Sequence, residues 1–186
     1  PVGICGSGIL DAVAGLLSEN LLTSAGNILL EPAFDAGIGH PYQIIQQDRS
    51  RALVLVPADR SGHGRDILIT RKDVNEIQLS KGAIRTGIEV LAAEAGISTG
   101  SIERFIVAGA FGTYLDINSA MRIGMFPRLP LERFQQIGNA AGAGARQMLV
   151  SRKHRQKAIE LAERADYIEL TTHPGFRDEF IKAIMF

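Results

Sequence analysis

The stretch from Glu103 to Asp116 constrains the fold more tightly than any other. Phe105-Ile-Val-Ala108 is a short apolar run, the pattern of a strand buried on both faces. It breaks into Gly109-Ala110-Phe111-Gly112, where glycines permit backbone dihedrals and a closeness of approach that side chains forbid. Asp116 then stands as N-cap for a helix through Ile123, which Gly124 is placed to end. Strand, glycine turn and helix is the order in which α/β proteins present backbone N–H groups to a ligand at the carboxyl end of a sheet. The alternative is a tight turn chosen for packing alone, because glycine turns recur in α/β folds of every function.

A second glycine turn opens the chain. Gly3-Ile-Cys-Gly6-Ser7-Gly8 leads into Ile9, Val13, Leu16 and Leu17 at helical spacing, which predicts a helix from about Ser7 to Glu19 with Ser7 as its cap. Glycines before a helix N-terminus suit an anion, since free N–H groups and the helix dipole point the same way. The turn is not a P-loop, for it lacks the GxxxxGK[S/T] spacing and the lysine. A flexible turn with Cys5 as a small buried side chain is the other reading.

Charge narrows the partners. Twenty basic residues balance 20 acidic ones, so the basic excess typical of nucleic-acid and membrane-surface proteins is missing. No apolar run approaches the roughly 20 residues of a membrane span. The opening residues carry no secretory pattern, and the single cysteine, Cys5, can form no internal disulfide, which together predict a cytoplasmic protein. Because the sequence opens at Pro1 on a glycine turn, with no strand before it, the expectation is the C-terminal part of a longer protein.

Residues 20–69 read as a less regular insertion. Short strand-like runs at Ile28–Leu30, Gln43–Ile45, Ala52–Val56 and Asp66–Ile69 alternate with turn signals, predicting a small antiparallel sheet and an exposed loop at 60–65. His40 and His63 have no partners at metal-ligand spacing and read as loop histidines. Thr70-Arg-Lys-Asp73 has the form of a capping box, opening a long helix to about Ala95 whose apolar stripe would be Ile77, Ile84, Ile88 and Leu91. Gly82 and Gly87 each cost that helix roughly 1 kcal/mol relative to alanine. Close approach by another backbone or by a flat ligand would explain them. Lys81 and Arg85 lie one turn apart on one face, suited to an anion or a ribose phosphate, or else simply solvated.

Beyond the central turn, Phe126-Pro-Arg-Leu-Pro130 reads as a rigid connector and Phe134–Ile137 as a strand. Asn139 caps a helix whose first turns hold nothing larger than alanine, which predicts backbone-close packing or a hinge. Ser151 caps a polar helix to about Ala165, and Tyr167–Leu170 is strand-like. The last helix would start at Thr171-Thr-His-Pro174, with His173 as a cap and Phe176, Phe180, Ile181 and Ile184 docked on the core. No Ser/His/Asp set, carboxylate pair or metal cluster assembles from spacing. The residues offer a binding site without visible bond-breaking chemistry.

Five stretches together resemble one family: Gly3–Val13, Glu76–Glu89, Val107–Asp116, Gln136–Arg146 and Thr172–Phe180. They are similar to the C-terminal half of the reductive activators of corrinoid proteins, over nearly the whole chain and in the same order. The ATPase part of those proteins belongs to the acetate and sugar kinase/heat-shock chaperone/actin superfamily. The resemblance implies an α/β fold, a ribonuclease-H-like lobe with a small inserted subdomain. It divides the chain into the start of the lobe at 1–19, the insertion and long helix at 20–95, and the adenosine-motif part at 96–186.

The same resemblance implies ATP with magnesium as ligand, its adenosine held on the strand and turn of Phe105–Gly112. Gly109-Ala110 stands where the superfamily has an adjacent glycine pair. The implied binding residues are Gly6, Ser7, Gly8, Lys81, Arg85, Gly109, Ala110, Phe111 and Gly112. The helix from Asn139 resembles the second connecting helix at the lobe hinge. Family members carry an N-terminal [2Fe-2S] ferredoxin-like domain, and ATP drives an electron to a cobalt(II) corrinoid on a partner protein, restoring cobalt(I) for methyl transfer. Neither nucleic acid nor membrane is an expected partner, and a homodimer is left open. A docking module that binds no nucleotide by itself, or a lobe of a small-molecule kinase, are the rival readings.

Overall fold

The computed structural model describes residues 1–29, 43–47 and 49–186. Leu30 and His40 lie outside them. The first helix, α1, spans Gly6–Ser18 and buries Leu10, Val13, Ala14 and Leu16. Its cap is Cys5, whose sulfur accepts from the Gly8 N–H at 3.4 Å. Ser7, expected in that role, sits inside the first turn, because the thiol two residues earlier accepts from the Gly8 N–H.

The insertion is an antiparallel sheet of β1 (Gln43–Gln47), β2 (Ser50–Val56) and β3 (Ile67–Thr70) in that order. Register runs Gln47↔Ser50 in the first pair and Ala52↔Thr70 in the second, with a bulge between Val54 and Val56. Ile28 makes one isolated bridge, to Leu22. His63 is exposed, and its ring meets the Ser61 hydroxyl at 3.3 Å.

Helix α2 covers Arg71–Glu94 and opens on a complete capping box. The Asp73 N–H donates to the Thr70 hydroxyl oxygen at 3.2 Å and the Thr70 N–H donates to the Asp73 carboxylate at 2.8 Å. Thr70→Ala is expected to lower stability by about 1 kcal/mol, read as a lower urea midpoint at unchanged slope. Only half of the expected stripe faces the core, where Ile77 and Ile88 pack. Ile84 and Leu91 are 44% and 55% exposed, whereas Val74, Gln78, Lys81, Gly82, Gly87 and Val90 are buried. The reason is α7 (Phe176–Ile184), which packs along this face. A Cβ on Gly82 would lie 2.7 Å from the Ile184 side chain and 3.3 Å from its backbone. Gly82 therefore serves a close helix–helix approach.

The lobe's central pair is parallel: β4 (Phe105–Val107) on β5 (Phe134–Gln136). Only one face of β4 is covered. Val107 is buried but Ile106 is 51% exposed, so the apolar run does not mark burial on both faces. Phe105, Phe126 and Phe134 form an aromatic trio with centroids 4.8–6.0 Å apart. Between the strands come a single turn, α3 (Ala110–Thr113), and α4 (Ile117–Arg122), which Asp116 caps and Gly124 follows at φ +78°.

Helices α5 (Ala140–Val150) and α6 (Arg152–Glu163) begin at the expected caps, Asn139 and Ser151, and pack on each other. Neither buries a residue, and a Cβ on Gly142 would meet only the side chain of the cap, Asn139, at 2.7 Å. Gly144 has nothing within 4 Å of a built Cβ. Tyr167–Leu170 forms no strand; a 3-10 turn at Leu170–Thr172 leads to α7. Gly175, at φ +84°, is the cap of α7, while His173 instead meets Glu94 at 3.0 Å and ties the start of α7 to the end of α2. Of the expected docking residues, Ile181 is turned outward. No described helix is long and apolar enough to cross a membrane.

Candidate functional site

The two glycine turns meet. The core that joins α1 to α4, through Leu10, Val13, Leu115, Ala120 and Ile123, sets the start of α1 against the turn after β4. There a Cβ on Gly6 would stand 3.0 Å from the Phe111 ring. The second wall is the loop after β5. The Gly109 N–H donates to the Gly138 carbonyl at 2.7 Å, and the Gln136 amide donates to the carbonyls of Gly112 and of Leu115, the latter at 2.9 Å. Both parallel strands thus end in one place, as open α/β sheets arrange their ligand crevices.

The glycines there have different physical roles. Gly109 adopts φ +101° and ψ 159°, a conformation essentially reserved for glycine, and a Cβ on it would meet nothing within 4 Å. It is held in a strained conformation and faces open space. A Cβ on Gly112 would lie 2.7 Å from a Val107 methyl, so its bareness serves internal packing. Gly8 adjoins Cys5 and Ile4 at 3.3 Å. The Gly6 and Ser7 N–H groups, in the first turn of α1, have no partner among the described residues, and Ser7 Oγ lies 3.4 Å from the Cys5 sulfur. That hydroxyl and the Gly8 N–H favour the Cys5 thiolate and lower its pKa. Ala110 and Phe111, next in sequence to Gly109, are exposed.

Lys81 and Arg85 do not join this cluster. They line a separate cleft of about 280 Å³ with Glu89, Gly124, Glu179 and Lys182. Lys81 is 2% exposed, donates to the Met185 carbonyl, and holds its ammonium 5.1 Å from the centre of the Phe186 ring. Arg85 pairs with Glu89 at 2.6 Å and donates to the Phe126 carbonyl at 3.1 Å. Burial, and then the Arg85 charge, pull the Lys81 ammonium from 10.5 down to about 8.

That depression has a measurable sign. Between about pH 8 and 10.5 the unfolded chain retains a proton that the folded chain has released. The stability of the wild type relative to Lys81→Met should therefore rise across this window, by on the order of 3 kcal/mol in total, and be flat below it. Urea denaturation of both proteins across that range measures the difference, and a falling difference would contradict the buried ammonium.

Sequence reasoning passed over three residues that shape the glycine site: Cys5, Gln136 and Gly138. Gly138, at φ +63°, supplies the carbonyl that fixes Gly109. Its position between a strand and an Asn-capped helix is the signal that could have exposed it. Gln136 had no such signal, because its two acceptors lie more than 20 residues away. Among the described residues no group of three or more His, Cys, Asp or Glu is placed to hold a metal ion.

Known proteins share both the sequence and the fold. Over its whole length the chain is 37% identical to "Corrinoid activation enzyme RamQ" of Eubacterium limosum. It is 32% identical, over 63% of its length, to "[Co(II) methylated amine-specific corrinoid protein] reductase" of Methanosarcina barkeri. The solved structure of a "Reductive activator for corrinoid,iron-sulfur protein" superposes on all of it with a TM-score of 0.85 at 34% identity. The chain spans 31%, 22% and 28% of those three proteins, respectively. The expected α/β lobe of the kinase/chaperone/actin superfamily is thus the fold observed. A family profile described as "C-terminal domain of RACo the ASKHA domain" matches residues 1–186, and the chain belongs to that family.

Proposed function

We propose that this chain is the nucleotide-binding lobe of an ATP-dependent activator that returns a cobalt(II) corrinoid protein to cobalt(I). One observation carries the reading: a glycine-only backbone at Gly109, opening on empty space, stands where α1 and both parallel strands converge. A nucleoside can approach such a backbone to van der Waals contact, which a Cβ would prevent. Phe111 offers a ring beside it, and the Gly6 and Ser7 N–H groups suit an anion. Related proteins with names in corrinoid activation and reduction supply the partner class.

In this reading the lobe does no chemistry on cobalt. A [2Fe-2S] cluster, held by a part of the activator other than these residues, supplies the single electron. The lobe binds ATP with magnesium, and binding favours one lobe arrangement over another by the difference in affinity between them. Calorimetric titration of the activator with ATP and with ADP in magnesium tests the proposal. Saturable binding is expected, together with ATP-dependent appearance of cobalt(I) on the corrinoid partner. Failure of the activator to bind either nucleotide would overturn it.

A further inference from the structure

Away from the glycine turns, a cleft of about 320 Å³ lies at the end of the inserted sheet. Its walls are Asn27 and Ile28, the β1–β2 hairpin end with Gln46, Arg49, Ser50 and Arg51, and Arg71 in the first turn of α2. Three guanidinium groups, two from the hairpin end and one from α2, line one cleft, and none of its described lining residues is acidic. In a chain whose charges balance, that is a concentration of one sign among the described residues of the cleft.

Each arginine is held, where held at all, by neutral acceptors. Arg71 is fixed by all three nitrogens: Nε to Asn27 Oδ1 at 3.3 Å, Nη1 to Gln78 Oε1 at 3.2 Å and Nη2 to the Ala25 carbonyl at 2.8 Å. Arg51 donates one Nη1 bond to the Ile28 carbonyl at 3.1 Å, leaving its other donors available. Arg49 is exposed and makes neither hydrogen bond nor ion pair with a described residue. The Asp73 carboxylate, two residues from Arg71, is engaged in the cap with Thr70. None of the three positive charges is neutralised by a carboxylate among the described residues. Bringing like charges together without a counter-ion is unfavourable, and a bound anion with several acceptor oxygens relieves it.

We infer that this cleft binds a phosphate group, either free phosphate or the head of a small phosphate monoester. Arg71 supplies a rigid positive floor, Arg51 a partly anchored fork, and Arg49 a mobile clamp from the hairpin end. Arginine suits this task because its planar fork matches two phosphate oxygens at once. The Ser50 hydroxyl, now donating weakly to the Gln47 carbonyl at 3.4 Å, can turn to the ligand. The site is independent of the nucleotide reading, since it shares no residue with the glycine turns.

Backbone amide NMR of the 186-residue chain at constant ionic strength tests it. Inorganic phosphate and glycerol phosphate are titrated in separate arms, with a polyglutamate peptide as a third. Saturable shifts centred on residues 27, 28, 46, 49, 50, 51 and 71 are expected, and Arg51→Gln should weaken them about tenfold. Arg49→Gln, at an exposed turn where folding is not at stake, should weaken them about threefold or more. Tighter saturation by glycerol phosphate assigns a monoester, and tighter saturation by inorganic phosphate assigns the free ion. Shifts that do not saturate, that keep the wild-type affinity in both variants, or that respond more tightly to polyglutamate would overturn the proposal, the last in favour of an acidic protein segment.

Discussion

Gly109→Val should abolish measurable ATP binding, lowering affinity by about a hundredfold or more, while the protein remains folded. Two effects combine. A β-branched residue at φ +101° and ψ 159° carries a strain of about 1–3 kcal/mol before any ligand arrives. The built Cβ points into open space with nothing within 4 Å, so the added methyls occupy the volume a nucleoside would need. Strain of that size is tolerable against a typical stability of about 5–15 kcal/mol, so circular dichroism should retain the native spectrum. Gly109→Ala separates the two effects, because it carries most of the backbone strain and only one added carbon. A folded Gly109→Val protein with unchanged ATP affinity would remove the glycine turn from the site.

Gly82→Val is expected to produce the largest loss of stability of any single change considered, about 3 kcal/mol. Valine would improve helix propensity by a few tenths of a kcal/mol at most. Against that, its Cβ would stand 2.7 Å from Ile184 Cγ2 and 3.3 Å from the Ile184 backbone, and its two methyls would press further into α7. A backbone cannot rotate aside as a side-chain end can. Displacing α7 also breaks the bond from the Gln78 amide to the Ile184 carbonyl, 3.1 Å long, and uncovers Lys81. For a chain of this length the melting temperature should fall by roughly 6–12 °C. Gly87→Ala, five residues along the same helix, is the contrast. Its Cβ would meet only the tip of Leu170 at 3.4 Å, an ordinary contact, so alanine's helix propensity should make the change neutral or stabilising by up to about 1 kcal/mol. Equal effects at the two glycines would mean that α7 is not held as closely as the coordinates place it.

Local chemistry was legible. The caps at Thr70, Asp116, Asn139 and Ser151 are contacts between a side chain and a backbone N–H three residues away, so the sequence window that holds them holds the whole interaction. The antiparallel character of the insertion followed from strands short enough to be read one at a time. Cys5 shows the edge of this legibility, since thiol and hydroxyl two residues apart could both cap α1 and only geometry chose between them.

What spans the chain was not legible. On α2, periodicity selected Ile77, Ile84, Ile88 and Leu91, of which Ile77 and Ile88 pack on the core, yet the buried face also carries Gln78 and Lys81, whose polar ends are satisfied by Ile184 and Met185 carbonyls more than 100 residues away. A lysine can be buried only where such acceptors arrive, and nothing near it in sequence announces them. The strand Phe105–Val107 failed in the opposite direction, being read as enclosed when Ile106 faces outward. At the candidate site, four glycines looked equivalent as a string. The sequence alone determined that they lie at helix starts and that one of those starts follows a strand. Only the tertiary structure decided that Gly6 meets Phe111, that Gly112 is bare to admit Val107, and that Gly109 alone faces open space. The physical reason is that a turn's conformation is set within a few residues, while what its missing side chain would touch is set by whichever distant element packs beside it.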